Sequence, residues 1–152
     1  LIAQNMTKEE FEQLFGDPLS TVAKNLGDYE GENKTNAGRI ITGVLKNGTP
    51  AQVCKLVSYG IIPQLWKTST SNVDEMSIIG LNGLELLLKL GEDEEIRMER
   101  NVDGFGNAFV EEVEKERVPW EKEGSEEVKG KREELERLLE EVRDDKSLLV
   151  KG

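Results

Sequence analysis

Apolar residues along the chain recur at steps of three and four, which predicts helices separated by short polar or glycine-bearing breaks. Thr49-Pro50-Ala51-Gln52 joins an N-cap threonine, a proline at the first helical position and a glutamine able to close a capping box, so a helix starts at Pro50. Val53, Leu56 and Val57 form its apolar stripe, and Gly60 offers the left-handed conformation that ends helices. A second short helix follows from Ile61, with Pro63 tolerable only in its first turn, and Thr68 to Asn72 read as a closing polar loop. From Val73 to Leu90, Met76, Ile79, Leu84, Leu87 and Leu88 recur with helical spacing, and Ile78, Leu81, Leu86 and Leu90 widen the stripe toward a largely buried helix. Gly91 stops it, and Glu92 to Glu95 suit the positive end of a further helix from Glu94 to Asn101.

The order short, short, long recurs. Val44 to Gly48 lies 43 residues before Leu87 to Gly91, and Gly60-Ile61 lies 44 residues before Gly104-Phe105. A long amphipathic helix from Ser125 to Asp144, with Val128, Leu135, Leu138, Leu139 and Val142 on one stripe, fills the third long position. Upstream, Asn33 to Asn47 reads as another long helix, Thr7-Lys8-Glu9-Glu10 as a capping box and Asp17-Pro18 as a helix start. No strand signal competes. A helical unit of about 40–47 residues is the armadillo or HEAT period, and such units bury their apolar faces by stacking. The expected fold is all-α, an armadillo-type right-handed α-solenoid fragment of about three helical repeats. Its expected parts are a partial repeat over 1–48, a repeat over 49–91, a divergent capping repeat over 92–145 and a tail over 146–152. A first unit cut from its neighbours leaves aliphatic surface facing water, so self-association or partial disorder is expected in residues 1–30.

Composition narrows the chemistry. The 152 residues carry 20 basic and 31 acidic side chains, a net charge of −11, with no histidine and one cysteine. That removes Ser-His-Asp and Cys-His nucleophile systems and zinc sites built on nitrogen and sulfur. An acidic surface repels duplex DNA and anionic lipid and favours cationic partners. The acidity is mostly C-terminal: residues 1–90 carry 8 basic and 10 acidic side chains, residues 91–152 carry 12 and 21. Eight aromatics imply a thin, aliphatic core. No apolar run nears the roughly 18 residues of a membrane span, Leu1 to Asn5 lacks the charged start of a secretory signal, and the absent initiating methionine suggests a fragment.

Individual residues read mainly as structural. The runs Glu92–Glu95, Glu111–Glu116 and Glu133–Glu141 are interleaved with Lys115, Lys131, Arg132 and Arg137 at spacings that suit helix-stabilising pairs on a solvated face. Glu94 with Glu95, or Glu111 with Glu112, would need a cleft and a raised pKa to act as a hydrolytic pair. Calcium lacks its loop pattern, and Gly104-Phe105-Gly106 lacks the strand and basic residue of a phosphate loop, so it reads as a turn between short helices. Trp66 reads as packing between repeats, Trp120 as either a cover for the last repeat or an exposed anchor, and Cys54 as a small core residue. Neither catalysis nor a cofactor is expected.

Asn36-Ala37-Gly38-Arg39-Ile40-Ile41-Thr42-Gly43, Gly48-Thr49-Pro50-Ala51-Gln52, Leu56-Val57, Gly60-Ile61-Ile62-Pro63 and Leu81-Asn82-Gly83-Leu84-Glu85 together resemble the last armadillo repeats of importin-α. The resemblance is strongest from Asn36 to Glu95, loose beyond it and weaker over residues 1–35. It implies an adaptor of nuclear protein import, working in cytoplasm and nucleus, that holds basic localisation peptides in a groove lined by the third helices. Importin-β and the export receptor would be partners of the full-length protein, and the last repeats contribute to docking the export receptor. At the family's groove tryptophan position stand Arg39 and Asn82, and at its asparagine position Gly43 and Leu86. With Asn36 and Glu85, these six are the groove candidates. The alternative is a generic armadillo or HEAT scaffold serving another partner.

Overall fold

Helix boundaries follow from local side-chain chemistry. The Thr49 Oγ1 accepts from the Gln52 N–H at 3.2 Å and the Gln52 Oε1 accepts from the Thr49 N–H at 2.9 Å, a closed capping box. Such a cap is worth about 1 kcal/mol. After the helix that it opens, Gly60 sits at φ 89°, the left-handed geometry that lets a second helix start at the next residue.

A computed structural model of the chain describes residues 22, 23, 26, 31–102 and 106–151. Among these, seven helices carry the regular structure: α1 Gly31–Asn47, α2 Pro50–Ser58, α3 Ile61–Ser69, α4 Asp74–Leu90, α5 Glu94–Glu99, α6 Val110–Lys115 and α7 Glu126–Lys151. No strand occurs among the described residues. The expectations at Thr7, Asp17-Pro18, Gly104-Phe105 and most of residues 1–30 lie outside them.

Helix α1 starts at Gly31 rather than Asn33, and three further boundaries differ from the sequence reading. Thr68 and Ser69 belong to α3 rather than to a loop: their hydroxyls donate to the Gln64 and Trp66 carbonyls at 2.7 and 2.6 Å, so both are buried without leaving a polar atom unmet. Next, α5 ends at Glu99, and Asn101 takes a left-handed φ of 56°. Finally, α7 runs on to Lys151, through the segment expected as a tail, since no glycine or proline interrupts the chain between Gly130 and Gly152.

Like-positioned helices are neighbours. The long helices pack α1 on α4 and α4 on α7, the first short helices pack α2 on α5, and the second short ones α3 on α6. Within a triplet, α3 lies along α4, and α6 meets α7. These contacts bury the apolar stripe of each helix against a neighbouring helix. Leu56, Ile61, Leu65, Leu84, Phe109 and Leu139, drawn from both triplets, sit in one cluster with 0–1% exposure, and Ala23 and Leu26 join it. Each such side chain contributes about 1.5–3 kcal/mol of burial.

Asn107 ties the second triplet to the first. Its amide donates to the Leu88 carbonyl at 2.7 Å and to Glu92 at 3.2 Å, and its Oδ1 accepts from the Phe109 and Val110 N–H groups at 2.9 and 3.1 Å. The residue is 6% exposed, so its removal strands partners away from water. Asn107→Leu is expected to cost about 2–3 kcal/mol, read as a lower urea midpoint with an unchanged slope; a loss under about 0.5 kcal/mol, the scale of an ordinary surface change, contradicts this role.

Candidate peptide groove

A concavity of about 690 Å³ lies on the face of the long helices. Two contacts set the register of its walls. The Thr35 hydroxyl meets the Met76 sulfur at 3.5 Å, and Gly38 abuts Ile79 so closely that an added Cβ would come within 2.7 Å of it. Both pairs are separated by 41 residues and both advance in the same direction, so α1 and α4 run parallel with their C-terminal ends together.

Arg39, Thr42 and Lys46 form the α1 wall. The α4 wall starts with Asp74 and Glu75 at the helix N-terminus, continues through Ile78, Ile79, Asn82 and Leu86, and ends with Glu85 and Lys89. Glu127 of α7 completes the lining. Glu85 and Lys89 pair at 3.1 Å. Among the described residues, the Arg39, Lys46, Asp74, Glu75 and Glu127 charges have no ion pair and the Asn82 carboxamide has no hydrogen bond. Five unpaired charges and one free amide therefore surround an apolar floor.

Of the six candidates, Arg39, Asn82, Glu85 and Leu86 come together here. Gly43 is buried within the packing of α1, and Asn36 is exposed but outside the lining. The reason is angular: on α1 the groove takes the steps Arg39, Thr42 and Lys46, and Gly43, four residues after Arg39, is rotated toward the core. Sequence reasoning missed Thr42, Lys46, Asp74, Glu75, Ile78, Ile79, Lys89 and Glu127. Extending Arg39 and Asn82 by helical steps of three, four and seven finds Thr42, Lys46, Glu75, Ile78, Ile79 and Lys89.

Elsewhere the singled-out residues serve the fold. Trp66 is fully buried and donates to the Val113 carbonyl at 2.8 Å. Trp120 covers it: the rings lie 5.9 Å apart, tilted by 40°, and the Trp120 indole donates to the Ser69 hydroxyl at 3.0 Å. Arg117 and Arg132 stack on Trp120 at 5.4 and 5.2 Å, cation-π contacts that fasten the segment between α6 and α7. Cys54 is half-buried against the core, and burial pushes its thiol up from the ordinary value despite the nearby Arg100. Some acidic groups pair within a helix, as Lys131 with Glu134 at 3.7 Å, but Arg117 with Glu136 and Arg143 with Glu114, at 2.8 Å, link separate elements. At the exposed Lys129–Glu123 pair, the 2.7 Å hydrogen bond raises the ammonium and lowers the carboxyl.

Among the described residues, no three of His, Cys, Asp and Glu converge to hold a metal ion, and no helix is long and apolar enough to cross a membrane. Compared with protein-family models, curated proteins and solved structures, the chain matches none.

Proposed function

We propose that the chain is a non-catalytic, importin-α-like adaptor of armadillo type that binds a basic peptide segment on the face of its long helices. The observation that carries this reading is the groove itself. Asp74, Glu75 and Glu127 offer carboxylates to lysine ammonium groups, Ile78, Ile79 and Leu86 offer apolar surface to lysine stems, and Asn82 offers an unengaged amide to a peptide backbone. The stacking of like-positioned helices supports a right-handed solenoid, and the resemblance of Asn36 to Glu95 supports the import role, in cytoplasm and nucleus. Partners on this reading are localisation peptides and, in a longer chain, importin-β or the export receptor.

A titration of a fluorescent lysine-rich localisation peptide, followed by anisotropy at low and high salt, tests the groove. Saturable binding that weakens with salt and is lost in Asp74→Lys/Glu75→Lys is expected, because carboxylate–ammonium pairs at a surface are screened over about 8–10 Å. Binding indifferent to that double substitution overturns the assignment of the groove. A second reading, a scaffold for another partner, is favoured by the cations Arg39 and Lys46 on the α1 wall, which repel a lysine.

A further inference from the structure

The two ends of the groove differ in charge, with Arg39 between them. The parallel register of α1 and α4 puts Lys46 beside the C-terminal end of α4, where Lys89 stands, and leaves Asp74 and Glu75 at the other end. Glu127, at the start of α7, adds to the acidic charge lining the groove. Because Glu85 and Lys89 neutralise each other, the unpaired charges reduce to three carboxylates and two cations, Arg39 and Lys46. A uniformly basic ligand satisfies the first set and is repelled by the second. A ligand carrying both signs satisfies both.

We infer that the groove selects a bipolar segment, basic at one end and acidic at the other, laid along the axes of α1 and α4, rather than a uniformly basic one. This deepens the groove reading above and rests on it. Basic side chains meet Asp74, Glu75 and Glu127, a short apolar stretch covers Ile78, Ile79 and Leu86, and acidic side chains meet Lys46 at the far end and reach back to Arg39, which the register sets opposite Gly80. From Asp74 to Lys89 the α4 wall spans roughly 22 Å at 1.5 Å per residue, and an extended chain covers that in about seven residues. Asn82, halfway along and without a hydrogen bond among the described residues, is placed for the backbone of the apolar stretch.

Three labelled synthetic peptides test the inference on the whole chain: Lys-Lys-Ala-Leu-Ala-Leu-Glu-Glu, its uniformly basic form Lys-Lys-Ala-Leu-Ala-Leu-Lys-Lys, and the isomer Lys-Glu-Ala-Leu-Ala-Leu-Lys-Glu. The bipolar peptide is expected to bind tightest, by about five- to tenfold, the scale of two or three exposed ion pairs. In Arg39→Glu/Lys46→Glu the preference reverses toward the basic peptide, a gain that a merely misfolded variant cannot give. If the basic peptide binds the unaltered chain as well as the bipolar one, or the isomer matches it, the inference falls while the groove reading stands. If no peptide binds, both fall.

Discussion

Trp66→Ala lowers the unfolding free energy by about 3–5 kcal/mol, the range for removing a large aromatic from a packed interior. The side chain has no exposed surface, and it sits where α3 meets α6, so the loss falls between the two triplets rather than within one. Its indole also supplies the 2.8 Å hydrogen bond to Val113, and its ring supports Trp120 and, at 5.7 Å, Arg117. Removing it therefore frees the segment between α6 and α7 as well as opening a cavity. Trp66→Phe separates the contributions: most of the packing stays and the hydrogen bond goes, for a cost of about 1–2 kcal/mol. For a domain of this size the alanine variant corresponds to a midpoint lowered by roughly 10 °C, at 2–4 °C per kcal/mol. Urea unfolding followed by far-ultraviolet circular dichroism reads both. An alanine variant within about 0.5 kcal/mol of the parent, the ordinary surface scale, contradicts the cross-triplet role.

Helix starts were legible where their chemistry is local. Thr49, Pro50 and Gln52 write a cap within four residues, and Gly60 writes a break in one, so both are recovered without knowledge of the fold. The α7 stripe was legible for the same reason, as Val128, Leu135, Leu139 and Val142 share one face at helical spacing and are buried together. What could not be read depends on residues distant in sequence. Asn107 gives no local sign that it will bind Leu88 and Glu92, since those groups come near only after α5 folds back on α2. Trp120 had two open roles because its partner Ser69 lies 51 residues away, on a helix whose end had been read as loop. The groove was half legible. Arg39, Asn82, Glu85 and Leu86 lie where a third-helix surface was expected, but whether a residue faces the groove or the core depends on the rotation of α1 against α4, and that rotation turns Gly43 inward.

Gly80→Ala destabilises the chain by about 1–3 kcal/mol, although alanine is the better helix former by about 1 kcal/mol. A Cβ at this position meets the Ser69 nitrogen at 2.5 Å and the Leu65 carbonyl oxygen at 2.7 Å. Both atoms are backbone of α3, so no rotamer change clears them and the two helices must part. Gly83 shows the softer case, since its Cβ would meet the end of the Leu65 side chain. Gly130 on α7 provides the control: nothing lies within 4 Å of its added Cβ, and alanine there is expected to stabilise by up to about 1 kcal/mol. Opposite signs at two helical glycines cannot come from propensity, which favours alanine at both; they require the close approach of α3 to α4. The separation of the signs also bears on binding. Ile78 and Ile79, immediately before Gly80, line the groove. A helix α4 displaced from α3 carries them with it, so on the proposed groove reading Gly80→Ala is expected to weaken peptide affinity in step with stability, whereas Gly130→Ala is expected to leave it unchanged. Equal affinity in the Gly80 variant, with its stability lowered, would mean that the groove does not depend on the seating of α4 on α3.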